Sequence, residues 1–166
     1  MIDYCHIARW SLDHFLAHGR GFSPSDRAGF RAGCFVTLHE KTGQLRGCIG
    51  TIEPVKADLA LEVAENAVAA GIRDPRFPAV AREEMADLQF EVSVLGIPRE
   101  VAGISDLDPK RFGVVVRNGM RRGVLLPEIP GIETAVQQVE IAKRKASIGL
   151  EEPVDLWRFE VEKYRE

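Results

Sequence analysis

The sequence predicts an α+β fold, with a mainly antiparallel sheet and helices packed against it. Three observations carry this. Strand-like runs are joined by glycine-containing hairpin signals, at residues 40–43 and at Asn118-Gly119. The segments between them repeat apolar residues every three or four positions, as helices do. Strands and helices do not alternate regularly enough for βαβ units. At 166 residues, one domain spanning the whole chain is expected, with room for two sub-lobes around a cleft.

Each element has its own signal. Tyr4, Ala8, Leu12, Phe15 and Leu16 form one helical stripe, which Gly19 to Gly21 ends. Residues 34–39 and 44–51 read as two strands around Glu40-Lys41-Thr42-Gly43. Glu53-Pro54 opens a second helix running to about Ala70, with Pro54 suited to its first turn. Pro75 and Pro78 keep residues 73–78 irregular. A short helix near residues 82–86 lacks a polar N-cap. In the strand at 88–95, Leu88, Phe90, Val92 and Val94 face one way and Gln89, Glu91 and Ser93 the other. Asn118-Gly119 predicts a type I′ turn between strands at 112–117 and 120–126. Thr134-Ala135-Val136-Gln137 is a capping box, starting a helix that turns Ala135, Val136, Val139 and Ala142 inward. Trp157, Phe159 and Val161 alternate with charged residues in a closing strand. No internal repeat stands out.

Composition narrows the function classes. No apolar run approaches the roughly 20 residues of a membrane span, and the first residues lack a signal peptide's basic start and apolar core. A cytoplasmic location is expected. Cys5, Cys34 and Cys48, odd in number and without Cys-x-x-Cys spacing, are expected to be free thiols. A net charge of −3 gives no general attraction to nucleic acid. Arg117, Arg121 and Arg122 cluster at one hairpin without interleaved aromatics, which reads better as a solvated turn. His14 and His18 have helical ligand spacing but no third ligand nearby, so a solvated helix edge is the better reading.

The strongest candidate for chemistry is Cys48. Strand parity puts Arg46, Cys48 and Gly50 on one face, with Arg46 about 7 Å along the strand. A neighbouring cation favours thiolate, and Gly47 and Gly50 let a ligand or another backbone come close. On these residues alone the plainer reading, a small buried hydrophobe beside a bulge, is somewhat favoured. His39 is too far along the hairpin to act as base. Asn66 falls within a buried helical stripe and needs partners there. Asp74 and Arg76 pair locally around Pro75, and Glu91 becomes an acid or base if its face lines a cleft.

Taken together, Phe35-Val36-Thr37-Leu38, Leu45-Arg46-Gly47-Cys48-Ile49-Gly50-Thr51, Ala64-Glu65-Asn66-Ala67, Asp74-Pro75-Arg76-Phe77, Glu91-Val92-Ser93-Val94-Leu95 and Val124-Leu125-Leu126-Pro127 resemble the AMME chromosomal region gene 1 protein family. Its bacterial and archaeal members are called AmmeMemoRadiSam system protein A. The resemblance implies an antiparallel α+β fold with a cleft where the motif residues gather. It also implies association with a Memo-like protein and a radical S-adenosylmethionine protein, without implying a reaction or a cofactor. The motif maps onto Arg46, Gly47, Cys48 and Gly50, with Asn66, Asp74, Arg76, Phe77, Glu91 and Ser93 as matching positions elsewhere. Ala81 stands where the family often has a threonine cap, and Gly71-Ile72-Arg73 departs from the usual run before Asp74.

Two readings follow. In the first, Cys48 is a nucleophile or acceptor in an enzyme or substrate-handling component, with Arg46 as its cation and Glu91 as acid or base. In the second, the chain is a non-catalytic module whose cleft binds a partner protein or a small ligand. The expectation that tests them is convergence of Arg46, Cys48, Asn66, Arg76 and Glu91 on one site.

Overall fold

Asp3 begins the first helix, its carboxylate accepting the His6 amide at 2.9 Å and satisfying one donor that a helix start leaves open. In the computed structural model, which describes residues 1–166, α1 spans Tyr4–His18 and ends on Gly19, whose φ of 68° makes a left-handed cap. The hairpin of β1 (Cys34–Glu40) and β2 (Leu45–Thr51) follows, then α2 (Leu59–Ile72), a 3-10 turn at Arg82–Asp87 and β3 (Leu88–Leu95). Next come β4 (Arg99–Val101), a second 3-10 turn at Ile104–Asp106, β5 (Gly113–Asn118) and β6 (Arg121–Leu125). The chain closes with α3 (Ala135–Lys145), β7 (Asp155–Phe159) and β8 (Val161–Arg165). The fold is α+β, with two four-stranded antiparallel sheets.

The chain divides into two compact units, Met1–Leu95 with Glu162–Glu166 and Gly96–Val161. In the first, the sheet order is β2-β1-β3-β8. Val36, Leu38, Phe90 and Val92 from its inner face, with Leu12, Leu59 and Val63 from α1 and α2, form a core with each residue at most 1% exposed. Burying each such side chain contributes about 1.5–3 kcal/mol relative to leaving it in water. In the second, the order is β4-β7-β5-β6, and α3 packs Val139 and Ala142 with Val114, Val116, Leu125 and Leu156.

Several elements differ from the sequence reading. α2 starts at Asp58, not Pro54: the Asp58 carboxylate accepts the Ala60, Ala28 and Gly29 amides. The Glu62 carboxylate takes the Val55 and Lys56 amides at 2.9 and 2.7 Å, holding that stretch out of helical conformation. At the second hairpin Asn118 pairs with Arg121, and Gly119 alone has positive φ, 59°. The turn residues are therefore Gly119-Met120, and positive φ at the first position alone belongs to type II′ rather than type I′. Val136 is half-exposed, its inward place taken by the fully buried Gln138. Glu160 separates β7 from β8, and Leu156 with Phe159 provides the burial expected of an unbroken strand.

The two units also repeat one module, which the sequence conceals. Each is a hairpin, a helix and a strand returning beside the first: β1-β2-α2-β3 and β5-β6-α3-β7. The sheet orders match when the second is read backwards. Gly47 lies opposite Leu38 and Gly123 opposite Val116. A Cβ on either glycine would stand 2.2 or 2.0 Å from a helix carbonyl, that of Ala70 or of Ala142. One turn before each alanine sits a buried amide. Asn66 donates to the Cys34 carbonyl at 3.1 Å, at the start of β1, and Gln138 to the Phe112 carbonyl at 2.9 Å, just before β5.

Candidate functional site

β2 is the edge strand of the first sheet, so its outward backbone groups need partners beyond the sheet. Asp74 supplies one: its Oδ2 accepts the Cys48 amide at 2.9 Å. The same carboxylate accepts Arg76 Nε at 3.0 Å, Nη2 at 2.8 Å and the Arg76 amide at 3.0 Å. Asp74 is almost fully buried while Arg76 is 56% exposed, so the pair presents a guanidinium to solvent above a hidden anion. The Arg76 hydrogen bonds hold the Asp74 carboxyl well below the usual carboxylate range, against the opposing cost of burial. Arg76 is pushed up, first by its bond to Asp74, with a smaller electrostatic contribution from Cys48. Phe77 places its ring 5.5 Å from the Arg76 guanidinium carbon.

Helix α2 lies against Gly47, so alternation turns Cys48 to the other, outer face of the sheet. There it heads a row across three strands: Cys48 pairs with Thr37, and Thr37 with Glu91. The Thr37 hydroxyl donates to Cys48 Sγ at 3.3 Å. Glu91 Oε2 accepts Arg165 Nε at 2.6 Å, closing the row with a second cation. In the next row Gly50 lies opposite Phe35, and Phe35 opposite the buried Ser93. A Cβ at Gly50 would fall 2.3 Å from the Phe35 ring, so this glycine makes room for the aromatic.

The thiols differ sharply. Burial pushes Cys34 up to about 12, with the Asn66 hydrogen bond opposing it in part, and pushes Cys5 up to about 11. Cys48 is half-buried and has a hydroxyl donor at its sulfur.

Two predicted site residues lie apart from this row. Between Leu38 and His39 the hairpin register shifts, leaving Arg46 as an extra residue, and a bulge breaks the parity that placed it with Cys48. Its guanidinium binds Glu84 at 2.9 and 3.2 Å and the Pro78 carbonyl at 3.0 Å, anchoring the segment that follows Arg76. Asn66 belongs to the helix-facing side of the sheet, where it also donates to Thr51 Oγ1 at 3.2 Å. The five residues expected at one site thus separate: Cys48, Arg76 and Glu91 border the outer face and its edge, whereas Asn66 serves the joint beneath. Thr37 was not singled out as a site residue. Only the bulged register reveals it as the neighbour of Cys48, and the sequence signal for a bulge was no more than the adjacent glycine.

No helix is long and apolar enough to cross a membrane. The AMMECR1 family model matches residues 5–164. A protein from Thermotoga maritima is 44% identical, the match covering 99% of this chain and 100% of that one. A protein from Clostridium acetobutylicum is 40% identical over 98% of this chain, which spans only 36% of that longer protein. The crystal structure of the uncharacterized protein PH0010 from Pyrococcus horikoshii shares the fold with a TM-score of 0.89 at 30% identity, covering 98% of this chain and 89% of that one. A match over nearly the whole length, with the motif around Cys48 inside it, settles the assignment: the chain belongs to the AMMECR1 family.

Proposed function

We propose that the outer-face row is a thiol site of an enzyme, or of a substrate-handling component, with Cys48 as nucleophile or acceptor. One observation carries this reading: the second unit builds the same module without the row. The positions equivalent to Cys48, Thr37 and Glu91 are Val124, Val115 and Trp157, which pair with one another in the same register. The position equivalent to Asp74 is Ala146. The fold therefore does not require polar groups there, which supports a role for them beyond packing.

In this reading Arg76, not Arg46, is the cation that favours the Cys48 thiolate, and Asp74 fixes its position. The Thr37 hydroxyl stabilises the developing sulfur charge. In this reading Glu91, paired with Thr37 across the sheet, takes the thiol proton through that hydroxyl, which can rotate between donor and acceptor roles. Gly47, Gly50, Phe77 and Ser93 shape the surroundings, and Arg46 and Asn66 hold the supporting elements. The substrate is a small molecule, handled in the cytoplasm alongside a Memo-like protein and a radical S-adenosylmethionine protein. A non-catalytic binding module is the second reading, favoured by the ion pair that already engages Glu91.

Limited iodoacetamide labelling at pH 7, mapped by mass spectrometry, tests the proposal. Cys48 is expected to label first, and Cys48→Ser to leave the melting temperature unchanged. Faster labelling of Cys5 or Cys34 in the folded chain would refute the thiolate role.

A further inference from the structure

His14 and His18 stand one turn apart on α1, with ring centres 4.5 Å from each other and planes at 49°. The Phe22 ring lies 5.6 Å from that of His14. His14 is partly exposed and His18 exposed, so both can be reached from solvent. We infer that the pair is a two-imidazole site for a borderline divalent cation. The reasoning is metric. With metal–nitrogen bonds of about 2.0–2.1 Å and roughly another 1.2 Å to each ring centre, two imidazoles at 90° around one ion stand ~4.6 Å apart, and at a tetrahedral angle ~5.3 Å. The observed spacing is close to these values, so both imidazoles can reach one ion, and Ni²⁺ and Cu²⁺ are cations that imidazole suits.

The location suits a cation as well. His18 is the last residue of α1, where the carbonyl end of the helix carries partial negative charge. Asp13, the adjacent carboxylate, is drawn instead toward Arg82, 3.5 Å away. No group of three or more His, Cys, Asp or Glu side chains gathers to hold an ion. The site therefore supplies two donors and leaves the other positions to water or to a donor from a bound molecule. The absence of a third protein ligand weakens such a site but does not prevent chelation.

The test is isothermal titration of Ni²⁺ into the full chain carrying no affinity tag, with a thermal melt at each metal concentration. One ion per chain is expected, with a melting temperature that rises with free metal because only the folded helix holds the two rings together. His14→Ala and His18→Ala each abolish both effects, and His6→Ala retains them. Far-UV circular dichroism of the variants confirms that α1 persists. No nickel binding by the natural chain, or undiminished binding by the His14 and His18 variants, overturns the proposal.

Discussion

A thiol's reactivity is decided by the few atoms that touch its sulfur and its backbone. For Cys48 these include the Thr37 hydroxyl and the Asp74–Arg76 pair. One hydrogen bond contributes about 1 kcal/mol, a factor of roughly 5 in an equilibrium. Thr37→Val is therefore expected to slow Cys48 alkylation ~5-fold at neutral pH without slowing that of Cys5, read as rate constants from mass spectra. Asp74 carries a pH signature. Its folded-state pKa is depressed, so its contribution is fully present above the unfolded carboxylate value of about 3.9 and is lost as pH falls below that. In urea unfolding between pH 2 and 7, Asp74→Asn should cost about 2–3 kcal/mol at pH 7 and progressively less below pH 4. A gap that stays constant with pH would contradict it. Residue types were more legible than residue positions. Cys48, Asp74 and Arg76 could be named from their motif, yet parity misplaced Arg46, because one bulged residue changes which face it joins.

Elements are joined in this chain by glycines and amides. Gly47 and Gly123 each admit a helix carbonyl where a methyl group would lie 2.2 or 2.0 Å away. Gly47→Ala and Gly123→Ala should each destabilise by about 3 kcal/mol or more, since backbone rather than a side chain must move. A denaturation midpoint unchanged in either variant would show that the helix shifts freely. Asn66→Ala leaves the Cys34 carbonyl without its side-chain donor and should cost roughly 1–3 kcal/mol. Gln138→Met should cost less, because its buried Oε1 already lacks a partner. The helices and most strands were legible from apolar period and capping boxes, which are local. What was not legible depended on competition between distant groups. Glu62 and Asp58 reach across loops to set where α2 begins, and a three-residue β4 is too short to show a period.

For the whole molecule, one module is built twice, and the proposed function assigns chemistry to the first copy alone. The repeat escaped sequence reading because loops of different length separate the equivalent residues. The shared positions are also few: Arg46-Gly47 with Arg122-Gly123, Ala70 with Ala142, and an amide one turn earlier. The glycines and alanines are the positions where helix meets sheet. On the outer face the copies diverge into the half-buried Cys48, Thr37 and Glu91 on one side and Val124, Val115 and Trp157 on the other, where both valines are buried. The second copy shows that the module can be built with apolar residues at these positions. The most direct test gives the first unit the second unit's residues, in the double variant Thr37→Val and Cys48→Val, and measures its unfolding free energy by urea denaturation. If the row exists for function, stability stays within about 0.5 kcal/mol of the natural chain or rises, as replaced site residues often allow. A loss of more than about 2 kcal/mol would show that the row holds the fold together, and the functional assignment would fall.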